Sequence, residues 1–239
     1  MKATNAAFLR GARSTLPFII VVIPFGMLLG VVATEAGLNL FESTAFSLAV
    51  FAGASQFAAL QLMQDQAPLI VILATSLAVN LRLLMYSVAL APEFGGAPVG
   101  VRAAMAYFLV DQVFVVTQAE IAGRPGLSLE EKIAFFFGAV LPIAGLWFVA
   151  NFVGAVAGRA VPPEYALDFA VPITFLAMVA PMLRSWPHLA AAVVSVAGTL
   201  GLTALPYGTG LLVAAVLAMA AGVAVELLLG RGAAAAEAG

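Results

Sequence analysis

The sequence predicts an all-α fold, a bundle of transmembrane helices forming one domain over residues 1–239. Three observations predict it. Of 239 residues, 64% are hydrophobic and only 9% are charged, whereas roughly a quarter of the residues in ordinary soluble proteins are charged. The apolar runs are much longer than the ~10-residue alternating segments of membrane β-barrels. The 22 glycines and 13 prolines also suit membrane helices, in which both are commoner than in soluble helices.

Each predicted span is an apolar run close to the ~20 residues that a helix needs to cross a bilayer. Eight such runs lie at residues 15–36, 43–63, 67–91, 101–122, 132–157, 166–182, 187–205 and 208–229. The sixth and seventh runs are short, so seven spans also fit the length. We expect the first run to be retained, because it is longer than the roughly 7–15 residues of a signal-peptide core.

Lysine and arginine residues predict the orientation, because they are enriched in cytoplasmic loops. With the N-terminus inside, the basic residues on the inner side are Lys2, Arg10, Arg13, Arg124, Lys132, Arg184 and Arg231. Only Arg102 and Arg159 then lie outside. We therefore expect both termini to be cytoplasmic, which requires an even number of spans.

The composition also excludes several classes of function. With no cysteine and one histidine, the chain lacks an ordinary zinc-ligand set, and we expect no metal and no cofactor. A net charge of −2 gives no attraction to nucleic acid. Serine-hydrolase, zinc-protease and phosphate-loop motifs are absent from the sequence. We therefore expect that the protein is not an enzyme.

Two charged residues lie deep within predicted spans. Arg82 is about fifteen residues into the third span, and Asp111 is near the middle of the fourth. A charge at the bilayer centre costs about 2.5–3.5 kcal/mol on insertion scales. One hypothesis is an ion pair that only fixes helix packing; the other, which we favour, is a substrate or proton site. A purely structural pair could be replaced by apolar packing at little cost.

Polar residues at similar depth complete the candidate site. Ser55 and Gln56 follow Gly53 in the second span, and Asn80 precedes Arg82 by two residues. Gly53 could weaken the helix locally and free carbonyl groups for a ligand, although a packing face of small residues explains the same segment. Asp168 lies near the predicted start of the sixth span, where an acid also suits the helix dipole.

Two segments show a weak internal similarity. Residues 16–36 and 141–161 both begin Leu-Pro and carry glycines four residues apart, at Gly26 and Gly30 and at Gly154 and Gly158. Duplicated halves are frequent in transporters, and chance similarity between apolar helices explains the pattern equally well.

These residues together resemble the AzlC (azaleucine resistance) family along nearly the whole chain. The resemblance rests most on the second-span segment from Phe51 to Phe57. Further matches are Asn80-Leu81-Arg82 with Tyr86, Asp111 with Phe114, Leu167-Asp168-Phe169, and the N-terminal segments Gly11-Ala12-Arg13, Leu16-Pro17-Phe18 and Ile23-Pro24-Phe25-Gly26. Two positions depart from the family pattern: Leu83 replaces the usual histidine and Gln112 replaces the usual glutamate.

The resemblance implies a bacterial inner-membrane permease that exports branched-chain amino acids with a small AzlD-like membrane subunit. Such a substrate is a zwitterion with an apolar side chain. We expect Arg82 to hold its carboxylate and Asp111 its ammonium group or a proton, with Asn80, Ser55 and Gln56 as neutral partners. The departures at Leu83 and Gln112 leave the individual substrate and the coupling ion open. Other hypotheses are a non-transporting subunit that anchors or regulates the small partner, a channel for another small solute and, more remotely, an intramembrane enzyme.

Overall fold

The computed structural model describes residues 2–158, 183, 185–203, 205 and 209–237. All the regular structure in these residues is helical. The helices are α1 (Lys2–Ser14), a 3₁₀ turn (Leu16–Phe18), α2 (Ile19–Glu35), α3 (Leu40–Ala49), α4 (Gly53–Gln64), α5 (Leu69–Phe94), α6 (Val99–Tyr107), α7 (Asp111–Gly123), α8 (Leu129–Gly158), α9 (Trp186–Gly201) and α10 (Thr209–Glu237). The sixth predicted span, 166–182, lies outside the described residues.

Four helical segments are long and apolar enough to cross a membrane: Ala3–Glu35, Leu69–Phe94, Leu129–Gly158 and Thr209–Leu229. They agree with the first, third, fifth and eighth predicted spans, and confirm the prediction of an all-helical, multi-pass membrane protein. The seventh predicted span corresponds to the shorter apolar helix α9.

The chain divides into two compact units, one of residues 1–60 with 79–165 and one of residues 61–78 with 166–239. In the first unit α8 is central, and α1, α2, α3 and α7 all pack against it. In the second unit α9 packs along α10. The single permease domain stays a prediction.

Glycines bring α2 and α8 into backbone contact. A side chain at Gly30 would collide with the carbonyl of Asn151, and one at Gly154 would collide with the backbone of Met27. Earlier in both segments, Gly11 of α1 lies against Phe135 of α8. Residue numbers therefore rise in the same direction along α1–α2 and along α8, so these two segments run parallel. The two helices that share the weak sequence similarity are thus direct neighbours.

The second and fourth predicted spans are each divided into two helices. Residues 50–52 separate α3 from α4, and residues 108–110 separate α6 from α7. At 1.5 Å per residue, α6 with 9 residues and α7 with 13 residues are each shorter than the ~30 Å hydrocarbon core. Neither helix alone crosses a membrane.

The structure contradicts a continuous crossing over residues 101–122. Glu120, in the last turn of α7, pairs with Arg10 of α1 at 2.9 Å, and α1 packs against the first third of α8. Arg102, in the first half of α6, shares a cavity with Phe136 in that same third of α8. Both ends of the α6–α7 segment therefore lie at the N-terminal end of α8, and the segment is a helical hairpin.

The α3–α4 segment also turns back on itself at its break. The side-chain amide of Gln56, in the first turn of α4, donates to the carbonyl of Phe46 in α3 at 3.3 Å. Phe46 precedes the break and Gln56 follows it, so the chain bends back sharply between α3 and α4. The hydropathy of residues 43–63 predicted one continuous span here, and the structure replaces it with two short helices.

The hairpin changes the predicted side of one basic residue. Arg102 was expected outside, opposite Arg124 and Lys132, but it lies at the same end of α8 as both of them. Lys132, in the first turn of α8, pairs with Glu93 near the end of α5 at 2.6 Å, which places the C-terminal end of α5 there too. Apart from Arg82, the described basic residues of the first unit for which a contact is shown, Arg10, Arg102, Arg124 and Lys132, therefore lie at one end of it.

Candidate functional site

The central contact of the candidate site is an ion pair between Arg82 and Asp111. Arg82 lies midway along α5, and Asp111 is the first residue of α7, directly after the extended residue Val110 (φ −125°, ψ 166°). Arg82 Nη1 is 3.0 Å from Asp111 Oδ2, and the two side chains are 37% and 38% exposed. The structure thus confirms that the two deep charges are neighbours.

Both members of the pair retain unused hydrogen-bonding capacity. Arg82 Nε, a donor, and Asp111 Oδ1, an acceptor, are buried without a hydrogen-bond partner in the described part of the chain, as is Asn80 Oδ1 nearby in sequence. Leaving a buried polar group unpaired costs about 1–3 kcal/mol, and more for a charged group. The pair can therefore accept a further donor on one side and provide one on the other.

Two aromatic rings lie beside the pair on the same two helices. Tyr86, one turn after Arg82, stacks on Phe114, one turn after Asp111, with ring centroids 4.2 Å apart and planes inclined by 10°. This stack holds α5 against α7 at the depth of the charges. It also gives the site an apolar wall.

The second group of predicted site residues lies at the other break. A Cβ at Gly53 would lie 2.7 Å from the indole ring of Trp147, so glycine is needed for close approach to α8. Ser55 Oγ donates to the carbonyl of Ala52 at 2.9 Å, which satisfies it locally. Gln56 is fully buried, and its Oε1 has no partner among the described residues.

An aromatic cluster connects the two breaks. Phe51 lies 5.7 Å from Phe108 and 6.5 Å from Trp147, measured between ring centroids. The hydroxyl of Tyr107 donates to the carbonyl of Leu48. The α3–α4 break and the α6–α7 break therefore meet beside the middle of α8.

The structure joins some of the predicted site residues and not others. Arg82 and Asp111 touch, whereas among the described residues no hydrogen bond or ion pair links them to Ser55 or Gln56. Asp168 lies outside the described residues. Sequence reasoning did not include Tyr86 and Phe114 in the site, although each lies one helical turn beyond a charged member, where side chains share a helix face.

Comparisons with known proteins support the resemblance found in the sequence. A family model described as AzlC protein matches residues 17–161, which is more than half of the chain. The chain is 27% identical over 178 residues to the inner membrane protein YgaZ of Escherichia coli (strain K12), covering 72% of this chain and 71% of that protein. It is 28% identical over 193 residues to an uncharacterized membrane protein of Archaeoglobus fulgidus, covering 79% and 81%.

A third relative, an uncharacterized membrane protein of Helicobacter pylori, is 28% identical over 158 residues, covering 66% of this chain and 65% of that protein. No solved structure matches the chain. The structure has several helices long enough to cross a membrane, and its first unit contains the charged pair. The family match covers most of that unit. The chain belongs to the AzlC family of membrane proteins.

Proposed function

We propose that the chain is the large subunit of an inner-membrane exporter of branched-chain amino acids, and that Arg82 and Asp111 bind the charged groups of the substrate. The AzlC family is associated with branched-chain amino acid transport. The observation that carries the proposal is the Arg82–Asp111 pair at the break between α6 and α7. A zwitterion needs one cation and one anion, and the pair supplies both.

The unused atoms of the pair suggest how an amino acid is held. Its carboxylate accepts from Arg82 Nε, and its ammonium group donates to Asp111 Oδ1. These two atoms have no partner among the described residues. Binding therefore gives each of them a hydrogen bond, and those bonds replace the ones that the substrate made with water. Charge-assisted bonds of this kind are about twice as strong as neutral ones.

The apolar side chain of the substrate needs an apolar surface to pack against, and aromatic ring faces supply such a surface. Tyr86 and Phe114 provide one beside the charges. Discontinuous helices near mid-membrane are a common way for transporters to present polar groups while keeping their backbone bonds inside protein. Rearrangement of the two hairpins at their shared aromatic cluster then gives access to the pair from alternate sides.

Efflux measurements test the site assignment. In cells loaded with leucine, Arg82→Ala and Asp111→Asn should each lower efflux at least about tenfold, which corresponds to about 1.4 kcal/mol. Matched controls are Arg13→Ala and Glu130→Gln, which change exposed charges away from the pair. Near-normal efflux in both pair variants, at normal expression, would contradict the assignment.

A double variant separates transport from folding. Replacing an ion pair within a protein by apolar residues of similar volume is often neutral or stabilising, and the Arg82–Asp111 pair lies at the depth of a predicted span. Arg82→Met with Asp111→Leu should therefore fold with a thermal midpoint close to that of the parent chain and transport nothing. Retained leucine efflux in this variant would show that the pair serves packing alone.

We further propose that a small AzlD-like membrane subunit completes the exporter, with both termini of the large subunit cytoplasmic. The support for the partner is the family resemblance. Liposomes containing the purified large subunit, with and without the small membrane protein encoded beside it, test this directly. Full leucine transport by the large subunit alone would contradict the need for a partner.

A further inference from the structure

A cavity separate from the Arg82–Asp111 pair lies between α5, α6 and α8. Its volume is about 300 Å³, at the lower end of the roughly 300–1,000 Å³ typical of small-molecule pockets. The deepest lining side chains are apolar and at most 6% exposed: Leu90, Phe94, Met105, Leu109 and Phe136. This floor suits a hydrocarbon chain.

The cavity carries one charge, and it has the sign that attracts an anion. Among the described residues, Arg102 is the only charged one in the lining. It is exposed, and its guanidinium group makes no hydrogen bond or ion pair with any other described residue. Glu93 lies next to the lining residue Phe94 in α5 but is not itself part of the lining. Its carboxylate is paired with Lys132 at 2.6 Å.

The charges distinguish this cavity from a site for an amino acid. Among the described residues the lining supplies a cation for a carboxylate but no carboxylate for the ammonium group of a zwitterion. A single carboxylate with an apolar tail leaves nothing unsatisfied. The volume accommodates one short tail, not two.

We infer that this cavity binds a single-chain monocarboxylate, with the carboxylate on Arg102 and the tail against Met105, Leu109 and Phe136. Small residues at the opening, Ala91 and Ala106, leave room for the chain to enter. Arg102 lies at the beginning of the α6–α7 hairpin and Asp111 lies at its turn, so the cavity and the charged pair are separate positions on one hairpin. The inference stands on the cavity itself and does not require the proposed export function.

Binding of hexanoate tests the inference. The full chain is placed in nanodiscs of neutral phosphatidylcholine and titrated calorimetrically with hexanoate, hexylamine, 1-hexanol and leucine. Saturable binding of hexanoate, at least tenfold tighter than that of the amine or the alcohol, is the expected result. Equal binding of all three six-carbon compounds, or no saturable binding of hexanoate, would overturn the inference.

Two pairs of variants locate the site. Arg102→Gln should weaken hexanoate binding at least about tenfold, whereas Arg13→Gln, which removes another exposed guanidinium, should leave it unchanged. Ala106→Phe should block binding, because the new ring fills the cavity. Ala103 is on the same helix but is not part of the lining, so Ala103→Phe should have no effect. Unchanged binding in Arg102→Gln or Ala106→Phe would overturn the assignment.

The remaining comparisons separate this site from its alternatives. Asp111→Asn should lower leucine efflux at least about tenfold and leave hexanoate binding unchanged, so failure of one proposal is distinguishable from failure of the other. Competition of hexanoate with leucine would identify the cavity as part of an amino-acid site. Loss of hexanoate binding in nanodiscs containing anionic phosphatidylglycerol would identify a two-chain lipid as the occupant. Either competition result would overturn the inference.

Discussion

Glu120 shows how a single carboxylate connects distant parts of the chain. Its Oε1 lies 2.9 Å from Arg10 and 3.4 Å from Arg124, and its side chain is only 14% exposed. Arg10 is 110 positions away in sequence, so no local pattern indicates this contact. The three residues join α1 to the end of α7 and thereby hold one leg of the hairpin that carries Asp111.

Glu120→Gln should lower stability by about 1–2 kcal/mol, because it leaves two guanidinium groups without their carboxylate while both remain partly solvated. The measurement is the thermal unfolding midpoint in detergent. Glu130→Gln is the control, since Glu130 is exposed on the first turn of α8 and no ion pair involves it in the described part of the chain. Equal midpoints for the two variants would show that the Arg10–Glu120–Arg124 contact contributes nothing.

At the scale of elements, the close parallel packing of α2 and α8 is set by residues without side chains. Gly30 and Gly154 bring the two backbones together, and small residues commonly bring membrane helices together in this way. The gain is van der Waals contact rather than a hydrophobic driving force, because lipid tails are as apolar as the helices. The interface therefore depends strongly on the shape of the contact surface.

One substitution at two positions of α8 tests this packing. Gly154→Ala should destabilise the protein by about 1–3 kcal/mol, because the new methyl group meets the backbone of Met27 and overpacks the interface. Gly145→Ala should be neutral or slightly stabilising, by up to about 1 kcal/mol, because no atom of another described segment lies within 4 Å of the added carbon. The measurement is the thermal unfolding midpoint of each variant. Similar decreases of the midpoint in both variants would rule out the packing role of Gly154.

At the scale of the whole molecule, the hairpins change how the chain passes through the bilayer. The α6–α7 hairpin begins and ends at the N-terminal end of α8, where Arg10, Arg102, Arg124 and Lys132 gather. Cytoplasmic segments are rich in such residues, so this end corresponds to the predicted inner side. Each unit is compact by itself, and the first one contains both the charged pair and the cavity.

Because the chain has no cysteine, single cysteines report the direction of the hairpin without background. Gly100→Cys and Gly123→Cys, both in open surroundings, should react with a membrane-impermeant maleimide from the same side as Arg13→Cys. Phe41→Cys, at the exposed start of α3, should react from the opposite side. Labelling of positions 100 and 123 from opposite sides would restore a crossing fourth span.

The sequence by itself determined the class of protein, the long spans and the two unusual charges. These properties depend on composition and on the cost of placing apolar or charged groups in water or lipid. That cost is a property of each residue and its near neighbours, so it can be summed along the chain. Arg82 and Asp111 stood out for this reason, and the ion pair between them was one hypothesis because their predicted spans are consecutive along the chain.

Only the tertiary structure decided where the chain turns back and what surrounds the charges. The residues at the breaks, such as Phe51 and Phe108, are as apolar as those of a continuous span. Hydropathy therefore indicates which segments enter the membrane but not whether they cross it or turn back. The Tyr86–Phe114 stack, the cavity beside Arg102 and the contacts of Glu120 join segments far apart in sequence. Such contacts depend on how helices pack in three dimensions, which no sum over neighbouring residues contains.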